Sequence, residues 1–175
     1  MRIIKLAVIS IIFLSLLITG ISLFIPSHIR ISKAINMKAK NDSVMRQISD
    51  PSRWKNWYPG LDTAKLLYVW GVVKGIVIDD KDPSHPAYIV MSSKKENEVT
   101  AQFIPKKMRP VINGWKTISY SNSDSVTLQW YMDFHLRWYP WEKFASLLLE
   151  KSYGTKMEQG LTNLKKIIET DRASF

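Results

Sequence analysis

From Ser125 to Trp138 apolar and polar residues alternate without interruption. Val126, Leu128, Trp130, Met132, Phe134, Leu136 and Trp138 form one row. Ser125, Thr127, Gln129, Tyr131, Asp133, His135 and Arg137 form the other. A period of two predicts a β-strand with one dry face and one wet face. The dry row is bulky and aromatic, so another element must cover it, or it must enclose a space. Tyr139-Pro140 ends the strand. A helical period comes next, first at Phe144, Leu147 and Leu148, then at Met157, Leu161, Leu164, Ile167 and Ile168, with Tyr153-Gly154 as a kink between them.

Upstream, residues 28–37 alternate through Ile29, Ile31 and Ile35 and read as a first strand. Asn41 or Asp42 can cap a short helix reaching Ile48. Asp50-Pro51-Ser52 breaks it, and Pro51 suits the first turn of a second short helix carrying Trp54 and Trp57. Short strands are expected at 65–70, with Gly71 at the bend, and at 74–78, 87–92, 99–104 and 111–120. Turn-forming stretches at 79–84, 94–97 and 121–124 separate them. A run of antiparallel strands segregated from one long helix is an α+β arrangement, and the C-terminal helix is the element long enough to cover the dry face.

Leu6–Ile25 carries no charge, lies after Arg2 and Lys5, and precedes Pro26. A helix of this length spans roughly 30 Å, the thickness of a bilayer's hydrocarbon core. The run exceeds the ~7–15 apolar residues of a signal peptide, and Ile18 spoils Gly20 as a cleavage site. We therefore expect a membrane anchor within residues 1–26 and a folded domain over 27–175. The short basic N-terminus is typical of an anchor that exports the remainder of its chain, which is the orientation expected. The basic residues Arg30, Lys33, Lys38 and Lys40 on the other flank point the opposite way.

The absence of Cys excludes disulfides, thiolate metal sites and a cysteine nucleophile. The net charge of +10 is scattered. Its densest spots, among them Lys106-Lys107-Met108-Arg109, are too short for a binding tail. That loop reads as solvated, or more sharply as a surface for anionic lipid headgroups. No helix-turn-helix pattern exists and the aromatics are not interleaved with basic residues, so no nucleic acid is expected. His28, His85 and His135 are too dispersed for a metal. No Gly-x-Ser-x-Gly supports a nucleophilic triad. Asp133 with His135 resembles an acid–base pair, but both lie on the wet row, where they read as an exposed charged face with Arg137. The seven Trp imply a large aromatic interior or a lined cavity. Trp54 and Trp57 read as local core.

Four stretches carry a family resemblance: IRISKAINMKAKNDSVMRQISD, DPSRWKNWYPG, GWKTISYSNSDSVTLQWYMDF, and PWEKFASLLLEKSYGTKMEQGLTNLKKIIE with its Gly160-Leu161-Thr162-Asn163-Leu164-Lys165 pattern. In order and spacing they resemble the START-like, or SRPBCC, superfamily, whose members include polyketide cyclase/dehydrase-like and lipid-transfer domains. The join Ile25-Pro26-Ser27-His28 is similar to that of its membrane-anchored versions. The resemblance implies a helix-grip fold, a curved antiparallel sheet around a long C-terminal helix, with a cavity between them. It does not imply a reaction. The cavity walls it points to are Trp70, Phe103, Trp115, Tyr120, Trp130, Met132, Phe134, Trp138, Met157 and Leu161, with Leu147 as a further packing partner. The expectation is a membrane-tethered, non-catalytic domain for a hydrophobic small molecule or lipid, without metal or cofactor. The alternatives are a cyclase/dehydrase-type enzyme on an apolar or aromatic substrate, and an envelope protein-interaction domain with a filled core.

Overall fold

A computed structural model describes residues 2–79, 86–106, 109–119 and 124–173. After the helix α1 (Arg2–Ser22) come β1 (His28–Met37), α2 (Asn41–Ile48) and a 3-10 helix, Pro51–Asn56. Next in order are β2 (Lys65–Val69), β3 (Val72–Asp79), β4 (Ala87–Lys95), β5 (Glu98–Ile104), β6 (Val111–Ser119) and β7 (Val126–His135). The chain closes with α3 (Pro140–Ser146), a wide π-turn at Glu150–Gly154, and α4 (Thr155–Ala173). The strands form one seven-stranded antiparallel sheet in the order β1-β7-β6-β5-β4-β3-β2. This is the α+β helix-grip architecture that the order of elements implies.

Register obeys the hydrophobic rows. β1 pairs with β7 from His28 opposite His135 to Met37 opposite Val126. Ile29, Ile31, Ile35 and Met37 therefore share a face with Phe134, Met132, Leu128 and Val126. β6 adds Trp115 beside Trp130 and Asn113 beside Met132. α4 lies over this face and buries Met157, Leu161, Leu164 and Ile168. Gly160 allows the close approach, since a Cβ there would meet the Trp130 ring at 2.6 Å and Pro59 at 3.0 Å. At the other end of the sheet face, the side chain of Asp50 accepts from Ser52 N and caps the 3-10 helix. Trp54 is held in the core by its Nε1, which donates to Ile48 O at 2.8 Å.

The structure corrects four expectations drawn from the hydrophobic pattern. Trp70 is not a cavity wall but 98% exposed. Trp70 (φ 54°) and Gly71 (φ 77°) form the two-residue loop of the β2–β3 hairpin, both with positive φ as a type I′ turn requires. Trp138 is 65% exposed, because β7 stops at His135 and, although Leu136 N still donates to Ser27 O at 2.7 Å, Trp138 lies beyond the paired strand. Leu147 is exposed rather than packed under α4. It falls in the turn after α3, on the side away from the sheet. Asp133 lies on the outer face as its row demands, yet it is only 5% exposed.

Asp133 is buried by its neighbours on that outer face. Arg30, its cross-strand partner, donates through Nε and Nη2 to the two carboxylate oxygens, both at 2.6 Å. The guanidinium also sits 4.5 Å from the centre of the Tyr131 ring. Tyr131 lies across Gly114, where any Cβ would collide with the phenol ring, and donates to Glu98 Oε1 at 2.8 Å. His28 and His135 stack at 4.6 Å beside the pair. Hydrogen bonding to Arg30 holds the Asp133 carboxyl below its ordinary value. Burial, aided by Glu98, pushes the Tyr131 phenol up to about 12. The arrangement is a structural clasp between β1, β7, β6 and β5, with His135 stacked on His28 rather than bonded to Asp133.

Among the described residues α1 is the one helix long and apolar enough to cross a membrane. It is tied to the domain at its C-terminal end. Leu23, Phe24 and Ile25 continue as a turn bonded back to the last turn of α1. Lys143, from α3 and only 4% exposed, donates through Nζ to Ile25 O at 2.6 Å and Ser27 Oγ at 2.7 Å.

Candidate functional site: two apolar pockets beside an aromatic core

The interior between sheet and α4 is divided. One part is solid. Trp54, Trp57, Trp115 and Trp130 are all fully buried. Trp57 stands edge-on to Trp115 and Trp130, at 5.9 and 5.8 Å between ring centres. Trp54 meets Trp115 at 5.2 Å. Such tilted and edge-to-face pairs suit the aromatic quadrupole. Trp115, one of the expected cavity walls, belongs to this packed cluster, and Leu161 is buried in the same core.

The other part is open. A cavity of roughly 170 Å³ lies against Trp130 and Met132 of β7, Phe103 of β5, Ile78 of β3, Met157 of α4, Tyr153 of the π-turn, and Tyr58–Leu61. The structure thus places Phe103, Trp130, Met132 and Met157 around one space. A second pocket of roughly 310 Å³ lies under α3. Its apolar walls are Val111, Phe134, Leu136, Trp141, Ala145 and Leu149, and Arg109, His135, Arg137 and Glu142 stand among its polar groups. Phe134 faces this second pocket and Tyr153 the first, and their rings meet at 5.0 Å. That aromatic pair is the partition between the two spaces. Ligand pockets commonly measure about 300–1,000 Å³, so the inner space alone suits only a small ring or a short chain segment. Tyr120, the remaining candidate wall, lies outside the described residues.

Tyr58 and Asn113 were not singled out from the sequence. Asn113 is fully buried on the inward row of β6. Its Oδ1 accepts from Trp130 Nε1 and its Nδ2 donates to the Tyr58 hydroxyl at 3.2 Å. Burial pushes the Tyr58 phenol up, and does the same for Tyr153. At neutral pH both are therefore neutral groups able to donate a hydrogen bond into the cavity, and neither is a base. The signal in the sequence was a polar residue, Asn113, at an inward position between Val111 and Trp115.

Lys33 stands on the inward row of β1 opposite Trp130. Its amine reaches Glu150 Oε1 at 2.8 Å and Glu158 Oε1 at 2.9 Å, and these hydrogen bonds raise its pKa. The lysine thus pins the π-turn and the start of α4 to the sheet, and its stem passes Gly154, where a Cβ would meet Lys33 Cε at 3.1 Å. Among the described residues no cluster of His, Asp or Glu is arranged to hold a metal ion.

The fold is shared with solved proteins of low sequence identity. A START superfamily protein from Mycobacterium smegmatis aligns with a TM-score of 0.59 at 16% identity, over 81% of this chain and 97% of that one. The Zhui aromatase/cyclase from Streptomyces sp. R1128 gives 0.62 at 12% identity, over 81% and 94%. A norcoclaurine synthase from Thalictrum gives 0.60 at 14% identity, over 83% and 96%. No curated protein sequence matches the chain. The family model for polyketide cyclase / dehydrase and lipid transport matches residues 28–169. That match supports a hydrophobic-ligand-binding or cyclase-type domain, and the solved neighbours share its fold. The chain belongs to the polyketide cyclase / dehydrase and lipid transport family, and its fold is that of START superfamily proteins.

Proposed function

We propose that residues 27–175 are a non-catalytic receptor for a hydrophobic small molecule or lipid, tethered to a membrane by α1. One observation carries the reading. The inner cavity is walled by Phe103, Trp130, Met132 and Met157, and the polar groups at its core side, Tyr58 and Tyr153, are held neutral by burial. Such a lining orients a ligand through hydrogen bonds without supplying an acid–base pair. The ligand's polar end meets the Tyr58 hydroxyl, and its apolar body lies along Met132 and Met157. Rotation of Phe134 against Tyr153 joins the two pockets and lengthens the space available to a chain. The outward turn of Trp141 leaves the second pocket as the entrance.

The alternative is a cyclase-type enzyme. It is favoured by the Tyr58–Asn113–Trp130 hydrogen-bond chain, which presents a proton donor suited to a carbonyl oxygen. That chemistry also needs a base to abstract a proton, and the described wall of the inner cavity offers Lys156 alone as a further ionisable side chain.

Native mass spectrometry and thermal-shift titration of the full-length protein in mild detergent test the proposal. Fatty acids, isoprenoids and planar aromatics serve as probes. The expected result is a co-purified apolar ligand, or a shift with one probe class that Met132→Trp abolishes while the circular dichroism stays native. No bound species and no shift with any class would sink it. Turnover that Tyr58→Phe abolishes would instead select the enzyme.

A further inference from the structure

α3 is built inside out. The residues it buries are polar, Lys143 and Ser146. The residues it turns outward are Trp141 and Phe144, continued by Leu147 and Leu148 in the next turn. Water-facing helices place these classes the other way round. Lys143 is drawn inward by a definite partner, since its amine bonds Ile25 O and Ser27 Oγ at the end of α1. The exposed apolar row of α3 is therefore fixed beside Leu23 and Phe24, which are also exposed.

Topology adds charge at the same end. β7 finishes and β1 begins there, with His135 paired to His28. β5 also ends there and β6 begins, since Ile112 pairs with Asp133. The loop holding Arg109 thus lies at the end from which α1 emerges, and Arg109 and Arg137 stand beside Trp141 around the second pocket. Tyr139 and Trp141 stack at 4.7 Å, which gives the outward surface a rigid amphipathic rim. Apolar side chains next to aromatic rings and arginines form the composition that settles at a bilayer interface.

We infer that α3 and the turn after it are a second membrane contact, an interfacial helix lying on a bilayer of anionic phospholipid, with Trp141, Phe144, Leu147 and Leu148 in the acyl boundary and Arg109 at the phosphates. This rests on the reading of α1 as a membrane span. The occupant is lipid rather than a second copy because the patch adjoins the end of α1, where Leu23 and Phe24 are exposed, and is bordered by Arg109 and by Arg137, whose guanidinium lies 3.9 Å from Glu142.

The chain has no Cys, so single thiols can be placed without background. Full-length Leu148→Cys, Leu14→Cys and Lys94→Cys proteins carry a nitroxide label in nanodiscs of phosphatidylcholine with phosphatidylglycerol. Leu14 reports α1, and Lys94 an exposed strand end far from it. We expect the label at 148 to be shielded from a water-soluble nickel relaxer by about fivefold relative to 94, as an interfacial site should be. Arg109→Glu should reverse part of that shielding. Leu147→Cys repeats the measurement. A label at 148 as open to nickel as that at 94, while 14 is lipid-shielded, overturns the inference and leaves the anchor intact. Labels at 14 and 148 both in water overturn both. Spin–spin broadening at 148 that disappears when labelled protein is diluted with unlabelled chain assigns the patch to a second copy and overturns the lipid contact.

Discussion

α3 and α4 are neighbours in sequence with apolar residues at the same helical spacing, and they use those residues in opposite ways. α4 turns Met157, Leu161, Leu164 and Ile168 onto the sheet. α3 turns Trp141 and Phe144 away from it and buries a lysine. The period of a pattern identifies which face is apolar but not what covers that face. For α4 the cover is protein. For α3 much of that face is left open, with Trp141 67% and Phe144 37% exposed, while its polar face completes the end of another helix.

The largest effect should come from α4. Leu164→Ala removes fully buried apolar volume and should cost about 2–5 kcal/mol in denaturant unfolding, whereas Leu148→Ala on α3 should change stability by less than about 0.5 kcal/mol. Equal losses at the two sites would break the contrast.

Next is the buried amine. Lys143→Met keeps an unbranched side chain, one atom shorter, and leaves Ile25 O and Ser27 Oγ without their amine donor, at a cost of about 2–3 kcal/mol. Hydrogen exchange at residues 23–27 should accelerate in the same variant. Unchanged exchange there would mean that α3 does not hold the end of α1.

The outer-face clasp gives a smaller, pH-dependent effect. The Asp133 carboxyl is held down in the folded protein by Arg30. The unfolded carboxyl titrates at about 3.9, so this stabilisation is complete above that value and is lost as pH falls through the lower folded value. Unfolding midpoints should be flat between about pH 7 and 5 and fall below about 4. Asp133→Asn should cost about 1–2 kcal/mol at neutral pH, reduced by the exposure of Arg30, and should flatten the acid limb.

The smallest stability effect belongs to Leu148→Glu. Its melting temperature in detergent should match that of the native chain within about 2 °C, while shielding from aqueous quenchers at the α3 surface is lost.

How far the sequence revealed this molecule depends on which physical factor ruled each segment. β1 and β7 were legible because β7 obeys a strict period of two, β1 breaks it only at Lys33 and Ala34, and the two pair along their whole length. β6 was harder. Its inward row is Val111, Asn113, Trp115 and Thr117, and its outward row includes Ile112 and Ile118, so polarity and facing disagree. The reason is chemical, since Asn113 serves Trp130 and Tyr58 in the interior. Trp70 was misplaced because a hydrophobic residue beside Gly71 looks like the end of a strand, whereas the two-residue hairpin takes both into the turn. Asp133 looked solvated because a single strand cannot show the cross-strand arginine that covers it. Of the candidate site, the walls supplied by β5, β7 and α4 were readable from period and resemblance. Tyr58, in an irregular segment after the 3-10 helix, left no periodic trace.

The bond from Lys143 to Ile25 has a consequence for reach. Only residues 23–27 separate α1 from β1, and Leu23–Ile25 are already folded back on α1. Extended chain would give about 3.3 Å per residue, but here that length is consumed by the turn and by the lysine. With α1 in a bilayer, the domain has no leash on which to swing. On the proposed reading of α1 as a membrane span, a domain so held would not ferry a molecule across an aqueous gap to a facing membrane. On that same reading, a ligand of its pockets would be drawn from, and returned to, the lipid or the proteins within its own footprint.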